Sequence, residues 1–302
     1  MSLDLRGVFP AITTPFHEDG RIDFERFRAD VRRLEAAGVD GVVPVGSTGE
    51  SATLSHDEHV DVVEAAVEGA EDLPVIAGAG SNSTREAVSL SRRSADVGAD
   101  ALLWISPYYN KPEQRGLLDH YRTVADAVDL PGIVYNVPSR TGRNVDPDTV
   151  VELASHPNVA GYKAASGDMG RISEVVERTR DEAFAVLSGD DGMTFPVLAV
   201  GGAGVISVAA NVEPERTAAM VHAALDGDVD RARELHHDLG PLFRALFHET
   251  NPIPVKEALH YRENYPPHLR QPLTPLREAY RDDLHAVLDE LAERPLPAAE
   301  DR

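Results

Sequence analysis

The stretch AAGVDGVVPVG (36–46) decides how this chain is read, because DVGADALLWIS (96–106) repeats its plan. In each, a helix-like segment runs into a glycine, Gly38 or Gly98, then an aspartate, Asp40 or Asp100, then an apolar run. Glycine accepts the left-handed backbone that commonly ends a helix, and the apolar run after it reads as a strand. Equivalent helix-to-strand units, repeated along a chain, stack into a barrel.

Working outward, apolar runs of strand length recur at 7–13, 41–46, 74–80, 101–106, 132–138, 159–164, 184–189 and 204–208, which gives eight candidate strands. Their near-continuous hydrophobicity suits strands covered on both faces, and the segments between them have helical character. SHDE (Ser55 to Glu58) and STRE (Ser83 to Glu86) both fit the capping box that starts a helix. An open doubly wound sheet is the alternative, but no glycine-rich phosphate loop follows the first run. After residue 211 only helical patterns remain: PERTAAMVHAALDGD, DRARELHHDLGPLFRALF and LREAYRDDLHAVLDELAER. The reading is an α/β protein, a (β/α)8 TIM barrel with a C-terminal helical extension. Residues 1–211 form the barrel core, and 212–302 supply helices that complete the barrel and extend it. The tail RPLPAAEDR is expected to fray.

Composition narrows the function classes. The chain has no cysteine, which excludes disulfides, thiolate metal sites and a cysteine nucleophile. Its start, MSLDLRGVFPAITTPF, lacks the basic and long apolar regions of a signal peptide, and no run approaches the ~18 to 20 apolar residues of a membrane span. The expected location is therefore the cytoplasm, with no membrane partner. A formal net charge of −22 argues against nucleic acid and suggests an acidic surface adapted to high salt. A merely acidic protein in ordinary cytoplasm is the alternative.

Of 29 lysine-plus-arginine residues only Lys111, Lys163 and Lys256 are lysine. Lys163 stands near the end of the sixth apolar run, in HPNVAGYKAASGD (156–168). Active sites of such barrels collect at the carboxyl ends of the strands. A lysine there loses hydration, which lowers its pKa and frees the neutral amine to attack a carbonyl. A lone lysine more often snorkels to water or pairs with a carboxylate. Other run ends shift that balance: GSTGES offers Ser47 and Thr48, SPYYNKP offers tyrosines, and YNVPSRTG offers Tyr135 and Arg140. Hydroxyls and phenols beside an amine can relay protons, and arginine can hold a carboxylate bidentately. Taken singly, Thr48 reads as a cap, Tyr135 as a core residue and Arg140 as a surface ion-pair partner.

GSTGESATLSHDEH, SPYYNKP, YNVPSRTG, GYKAASGD, LSGDD, GVISVAANV and NPIPVK, in this order over roughly residues 5–290, resemble the pyruvate-dependent class I aldolases of the dihydrodipicolinate synthase and N-acetylneuraminate lyase family. The resemblance implies that Lys163 forms a Schiff base with pyruvate and that Tyr135 exchanges protons beside the imine. It further implies that Thr48 links Tyr135 to Tyr109, the latter supplied by a neighbouring subunit of a homo-oligomer, expected to be a tetramer of two tight dimers. Ser47 and Thr48 would bind pyruvate, with the main chain of Gly189 and Ile206 lining its pocket and Thr14 and Asn251 nearby. Arg140 would hold the carboxylate of the acceptor, L-aspartate 4-semialdehyde, in a step toward diaminopimelate and lysine. No metal or organic cofactor is implied.

Two positions depart from the family pattern. Ser47, a serine familiar from sialate lyases, stands where the synthases more often have threonine, and Ala164 follows the lysine where glutamate is common. A 2-keto-3-deoxy sugar acid aldolase is the alternative activity, and a non-catalytic metabolite-binding barrel is the alternative class. Arg140 favours a small acidic aldehyde over a sugar acid, and the intact lysine, tyrosine and arginine set argues against a non-catalytic barrel. The resemblance also implies an inhibitory L-lysine site at the tight-dimer interface, formed by Ser51, Ala52, His56, His59, Asn82, Glu86 and Tyr108.

Overall fold

The computed structural model describes residues 3–296, so most of the expected frayed tail lies outside the described residues. Seven strands pair in parallel: β1 (Gly7–Pro10), β2 (Ile76–Gly78), β3 (Ala101–Ile105), β4 (Gly132–Asn136), β5 (Val159–Ala164), β6 (Ala185–Ser188) and β7 (Gly204–Ser207). Their spatial order is β1-β7-β6-β5-β4-β3-β2, a sheet curled so that β1 and β2 are its two edges.

The remaining expected strand, 41–46, is not a regular strand. It makes isolated parallel bridges on both sides, Val43 to Ala11 and Val42 to Val75. The Val43 N–H donates to Pro10 O at 2.8 Å and the Ile76 N–H to Val42 O at 2.9 Å, so this segment spans the gap between β1 and β2. Ladder formation stops there because Pro44 has no N–H to donate and Val45 turns to φ +50°. The other strands are a residue or more shorter than their apolar runs, except β5, which matches 159–164.

Around the sheet lie α1 (Phe24–Ala36), α2 (His56–Gly69), α3 (Thr84–Asp96), α4 (Gln114–Ala125), α5 (Pro138–Thr141), α6 (Pro147–Ala154), α7 (Met169–Thr179), α8 (Thr194–Ala199) and α9 (Pro214–Leu225). The chain continues in α10 (Val229–Ala245), α11 (Ile253–Glu263) and α12 (Glu278–Glu293). The repeated plan has a shared geometry. Gly38 and Gly98 follow α1 and α3 with φ of +78° and +97°, and Asp40 and Asp100 then accept the Val8 and Val75 N–H groups at 2.8 and 2.9 Å. Each aspartate thus ties an incoming segment to its neighbour in the sheet.

The capping box at Ser55 and Glu58 forms at the start of α2. The one expected at Ser83 and Glu86 does not: the Glu86 carboxylate instead accepts the Ser81 hydroxyl at 2.8 Å. The Ser81 hydroxyl takes both partners, since its Oγ also accepts the Ser83 N–H at 3.1 Å. α11 was legible only as the motif NPIPVK, because it is buried continuously from Ile253 to Leu259 and so has no polar face to give it a period.

Alternating strand residues fill two apolar layers. Phe9, Leu103, Ile133, Leu187 and Ile206 point into the barrel, whereas Val8, Leu102, Trp104, Val134 and Tyr162 pack outward under the helices. Among the described residues no helix is long and apolar enough to cross a membrane.

Candidate active site

The inward parity that places Ile133 in the barrel also turns Tyr135 and Lys163 inward, one register step nearer the carboxyl ends. Tyr135 pairs with Lys163, and Lys163 pairs with Leu187 of β6. The Lys163 Nζ sits 4.2 Å from the centre of the Tyr135 ring. Lys163 is only 6% exposed, and burial pulls its pKa down to about 7, with Asp191 opposing the fall and Arg140 adding to it. Roughly half of the amine is then neutral at pH 7, against fewer than about one in a thousand for an ordinary lysine. Burial pushes the Tyr135 phenol up, while Arg140 and a hydrogen bond with Ser47 pull it back.

These groups line a cavity of about 560 Å³ at the strand ends, shared with Ser47, Thr48, Arg140, Gly189 and Asn251. The turn carrying Ser47 and Thr48 is held by Thr14, whose hydroxyl donates to Gly49 O at 2.7 Å. Asn251 braces it from the extension, donating from Nδ2 to Thr48 Oγ1 at 2.9 Å, and its carbonyl accepts the Arg140 Nη2 at 2.9 Å. One asparagine therefore sets both the turn and the guanidinium. Gly189 lies so close to the amine that a Cβ there would come 3.0 Å from Lys163 Cε. Ile206 is 1% exposed and belongs to the apolar layer within the barrel.

Thr48 Oγ1 accepts the Asn251 amide, and the Ser47 hydroxyl is among the groups that act on the Tyr135 phenol. Tyr109 is 91% exposed at φ +70° and stands outside the cavity of its own chain.

The residues expected to hold L-lysine lie on neighbouring loops. Ser51 and His59 line a cavity of about 40 Å³ that also touches Ser47 and Tyr135. His59 is turned inward, however, its Nε2 2.6 Å from Gly78 O, and burial pulls its pKa down to about 4, so the ring is neutral. Ala52, His56 and Tyr108 are exposed. The Asn110 side chain donates to Asn82 O at 3.0 Å, joining the turn after β3 to the one after β2.

Two buried acids escaped the sequence reading. Asp191, in the quoted motif LSGDD, is 3% exposed beside the site. Glu50, which ends the turn GSTGE, pairs with Lys256 at 2.5 Å, both side chains being essentially inaccessible. Burial pulls Lys256 down to about 8, with Glu50 opposing. The signal available for both was position, an acid one or two residues past a site residue. The larger cleft, about 1140 Å³ and lined from α11 and α12, lies on the extension, where Glu257 is already paired with Arg281 and His285. Among the described residues no group of three or more His, Cys, Asp or Glu side chains is placed to hold a metal ion.

A buried amine of lowered pKa beside a phenol, two hydroxyls and a guanidinium is equipped to form an imine with a keto acid. Comparison with known proteins agrees. Residues 4–291 match the dihydrodipicolinate synthetase family. The 4-hydroxy-tetrahydrodipicolinate synthase of Haloarcula marismortui is 70% identical over 95% of this chain and 94% of its own. Among solved structures, dihydrodipicolinate synthase of Acinetobacter baumannii complexed with pyruvate superposes with a TM-score of 0.93 at 42% identity, covering 95% of this chain and 99% of that one. The Cyanidioschyzon merolae enzyme with lysine bound superposes with a TM-score of 0.92 at 36% identity, covering 95% and 98%. The chain belongs to the dihydrodipicolinate synthetase family.

Proposed function

We propose that this enzyme condenses pyruvate with L-aspartate 4-semialdehyde to 4-hydroxy-tetrahydrodipicolinate, the activity named for its 70% identical relative. The observation that carries the reading is the cavity shared by the buried Lys163 amine and the Arg140 guanidinium. Neutral Lys163 attacks the pyruvate keto carbon, and loss of water leaves a protonated imine. That cation draws electrons from the methyl group, which loses a proton to become an enamine. The enamine carbon adds to the aldehyde, and Tyr135, in contact with Ser47, supplies the proton that the new alkoxide takes up. Finally the acceptor's own amine displaces Lys163 from the imine, closing the ring and freeing the enzyme. One water is released overall.

Arg140 has the fixed fork that matches the acceptor carboxylate, and Asn251 O orients it. Ser47 and Thr48, with the main chain near Gly189 and Ile206, are the pyruvate-binding groups. Tyr109 completes the relay from a neighbouring subunit of a tetramer, a role supported by its exposure. L-Lysine inhibits at Ser51, Ala52, His56, His59, Asn82, Glu86 and Tyr108; the small cavity from His59 to Tyr135 supports that coupling. The enzyme works in the cytoplasm at high salt, for which the net charge of −22 is the support. A product assay with pyruvate and aspartate semialdehyde, run beside cleavage of a 2-keto-3-deoxy sugar acid, tests the activity. Preferential cleavage of the sugar acid would overturn it.

A further inference from the structure

The turn that carries Ser47 and Thr48 is bounded by Val45 and Glu50, both non-glycine residues in left-handed backbone, at φ +50° and +55°. Such a conformation persists only where the surroundings over-determine it. Two backbone bonds close the turn, Glu50 N–H to Ser47 O at 3.2 Å and Ser51 N–H to Gly46 O at 3.3 Å. The rest of the restraint comes from outside, at three consecutive residues. Asn251 donates to Thr48 Oγ1 at 2.9 Å and Thr14 to Gly49 O at 2.7 Å, and Glu50 is held through its side chain. Its Oε1 lies 2.5 Å from Lys256 Nζ of α11, and its Oε2 accepts the Arg270 N–H at 3.0 Å. Lys256 Nζ donates onward to His268 O at 2.8 Å and shares the Phe16 ring with Arg270, the two cations standing 4.4 and 4.5 Å from its centre. The Arg270 guanidinium also donates to Thr53 O at 3.0 Å and to both Glu58 oxygens at 2.9 and 2.6 Å. The extension thus grips the segment from Thr48 to Glu58 at several points, and the Glu50–Lys256 pair is the most deeply buried of them.

We propose that Lys256 is a positioning residue for pyruvate: its buried ion pair with Glu50 holds the turn so that Ser47 and Thr48 face the keto acid beside Lys163. The inference rests on that turn binding pyruvate and on Lys163 forming the imine. Ser47, Thr48 and Lys163 line the active-site cavity, whereas Glu50 and Lys256 do not, so the pair acts through the turn and not on the substrate. The lever is short, since Glu50 is two residues from Thr48 and the intervening Gly49 carbonyl is itself held by Thr14. With side chains 0% and 1% exposed, neither partner can replace the other with water. A buried ion pair is expensive to desolvate, and apolar side chains of similar volume often fold at least as well in its place. What the pair adds at the end of a left-handed turn is one fixed geometry, and an error of about 1 Å in placing a substrate can lower a rate about a hundredfold.

The test is borohydride trapping of pyruvate on Lys163 in the full chain, as a function of pyruvate concentration at fixed pH and salt. Lys256→Met should raise the half-saturating pyruvate concentration about tenfold or more. The fraction of folded enzyme trapped at saturation, and KM for aspartate semialdehyde, should stay within about twofold. Glu257→Gln, which weakens the next pairs along α11 with Arg281 and His285, controls for lost stability and should leave the half-saturating concentration where it was. Because Lys256→Met strands a buried carboxylate, the double variant Glu50→Gln/Lys256→Met is made beside it. There the uncompensated charge is gone but so is the fixed pair, and half-saturation should again rise. An unchanged value in either folded variant, or an equal rise in Glu257→Gln, overturns the proposal. If neither variant folds, amide hydrogen exchange of the wild type decides. By reciprocity, pyruvate should protect the Arg270 N–H, which bonds Glu50, more than the amides of α12, and an equal gain or none would overturn the proposal. Failure of wild-type Lys163 to trap pyruvate at all would instead defeat the functional reading itself.

Discussion

Tyr135 and Lys163 are register partners across β4 and β5, and that pairing holds the Lys163 Nζ 4.2 Å from the centre of the Tyr135 ring. The ring face attracts an ammonium by about 2 kcal/mol or somewhat more in a desolvated site. Burial wins nonetheless, since a fall from 10.5 to about 7 represents roughly 5 kcal/mol against the charged form. The contact therefore orients the amine without locking it in the unreactive state.

The pH dependence of imine formation follows from this balance. Only the neutral amine attacks, and its fraction rises as pH climbs through the lowered pKa of about 7. Stopped-flow imine formation from pyruvate should increase roughly tenfold from pH 6 to pH 8 and flatten above it. A rise that continues to the pKa of an ordinary lysine would show that the amine is hydrated in solution.

Imine formation is also expected on one lysine alone. Peptide mapping after borohydride reduction should find the pyruvyl mass on Lys163, absent in Lys163→Ala and retained in Lys111→Arg, because Lys111 is exposed. Lys256→Ala should behave differently from both. It leaves Glu50 buried without its partner, so thermal unfolding should show a loss of about 3–5 kcal/mol, while the folded fraction still traps pyruvate on Lys163. Pyruvyl mass on Lys256 would reverse the assignment.

The barrel was legible because strands covered on both faces leave continuous apolar runs, and Gly38 and Gly98 mark the same helix end twice. The bridge-only segment at 42–43 was hidden because the apolar character of 41–46 outlasts its ability to form a ladder once Pro44 and Val45 intervene. At the site, Lys163, Tyr135 and Arg140 stood out as rare or reactive types at strand ends. Asp191 and Glu50 did not, since an acid in an acidic chain looks like surface, and only burial distinguishes them. Which of Ser47 and Thr48 meets Tyr135 is a matter of side-chain direction, to which sequence spacing is blind.

Acceptor recognition should fail selectively when Arg140 is removed. Arg140→Ala loses a charge-assisted fork held by Asn251 O, so KM for aspartate semialdehyde should rise tenfold or more, with a fall in kcat. Pyruvate trapping should persist, and the kinetics of the two substrates measured separately would reveal the split. Unchanged KM would remove the carboxylate-clamp role.

Tyr109, exposed at 91% and absent from the lining of its own chain's cavity, is expected to act across a subunit boundary. Light scattering should find a tetramer in molar salt, and Tyr109→Phe should lower kcat at least tenfold without altering the assembly. Mixing Tyr109→Phe with Lys163→Ala should restore part of the activity, because one hybrid site then carries both native groups. A fully active monomer, or no restoration in verified hybrids, would confine the site to one chain.

Inhibition by L-lysine is the outcome most dependent on small displacements. His59 and Ser51 share a cavity of about 40 Å³ with Ser47 and Tyr135, so a ligand pressing on the 51–59 segment has a short route to the proton-relay hydroxyl. Tyr108 precedes Tyr109, and Asn110 is tied to Asn82 O, so the same ligand would touch the backbone that presents the second tyrosine. Both routes require that lysine contact one arrangement of these loops better than another, since equal affinity for two states shifts neither. Glu86 is the acid suited to the lysine ammonium, although it accepts the Ser81 hydroxyl, which must yield or share. Initial rates at fixed salt should therefore fall with added L-lysine, and Glu86→Ala should raise the half-inhibitory concentration about tenfold or more while leaving pyruvate trapping intact. Inhibition of equal strength in Glu86→Ala would place the lysine site elsewhere, and none at saturating lysine would remove it.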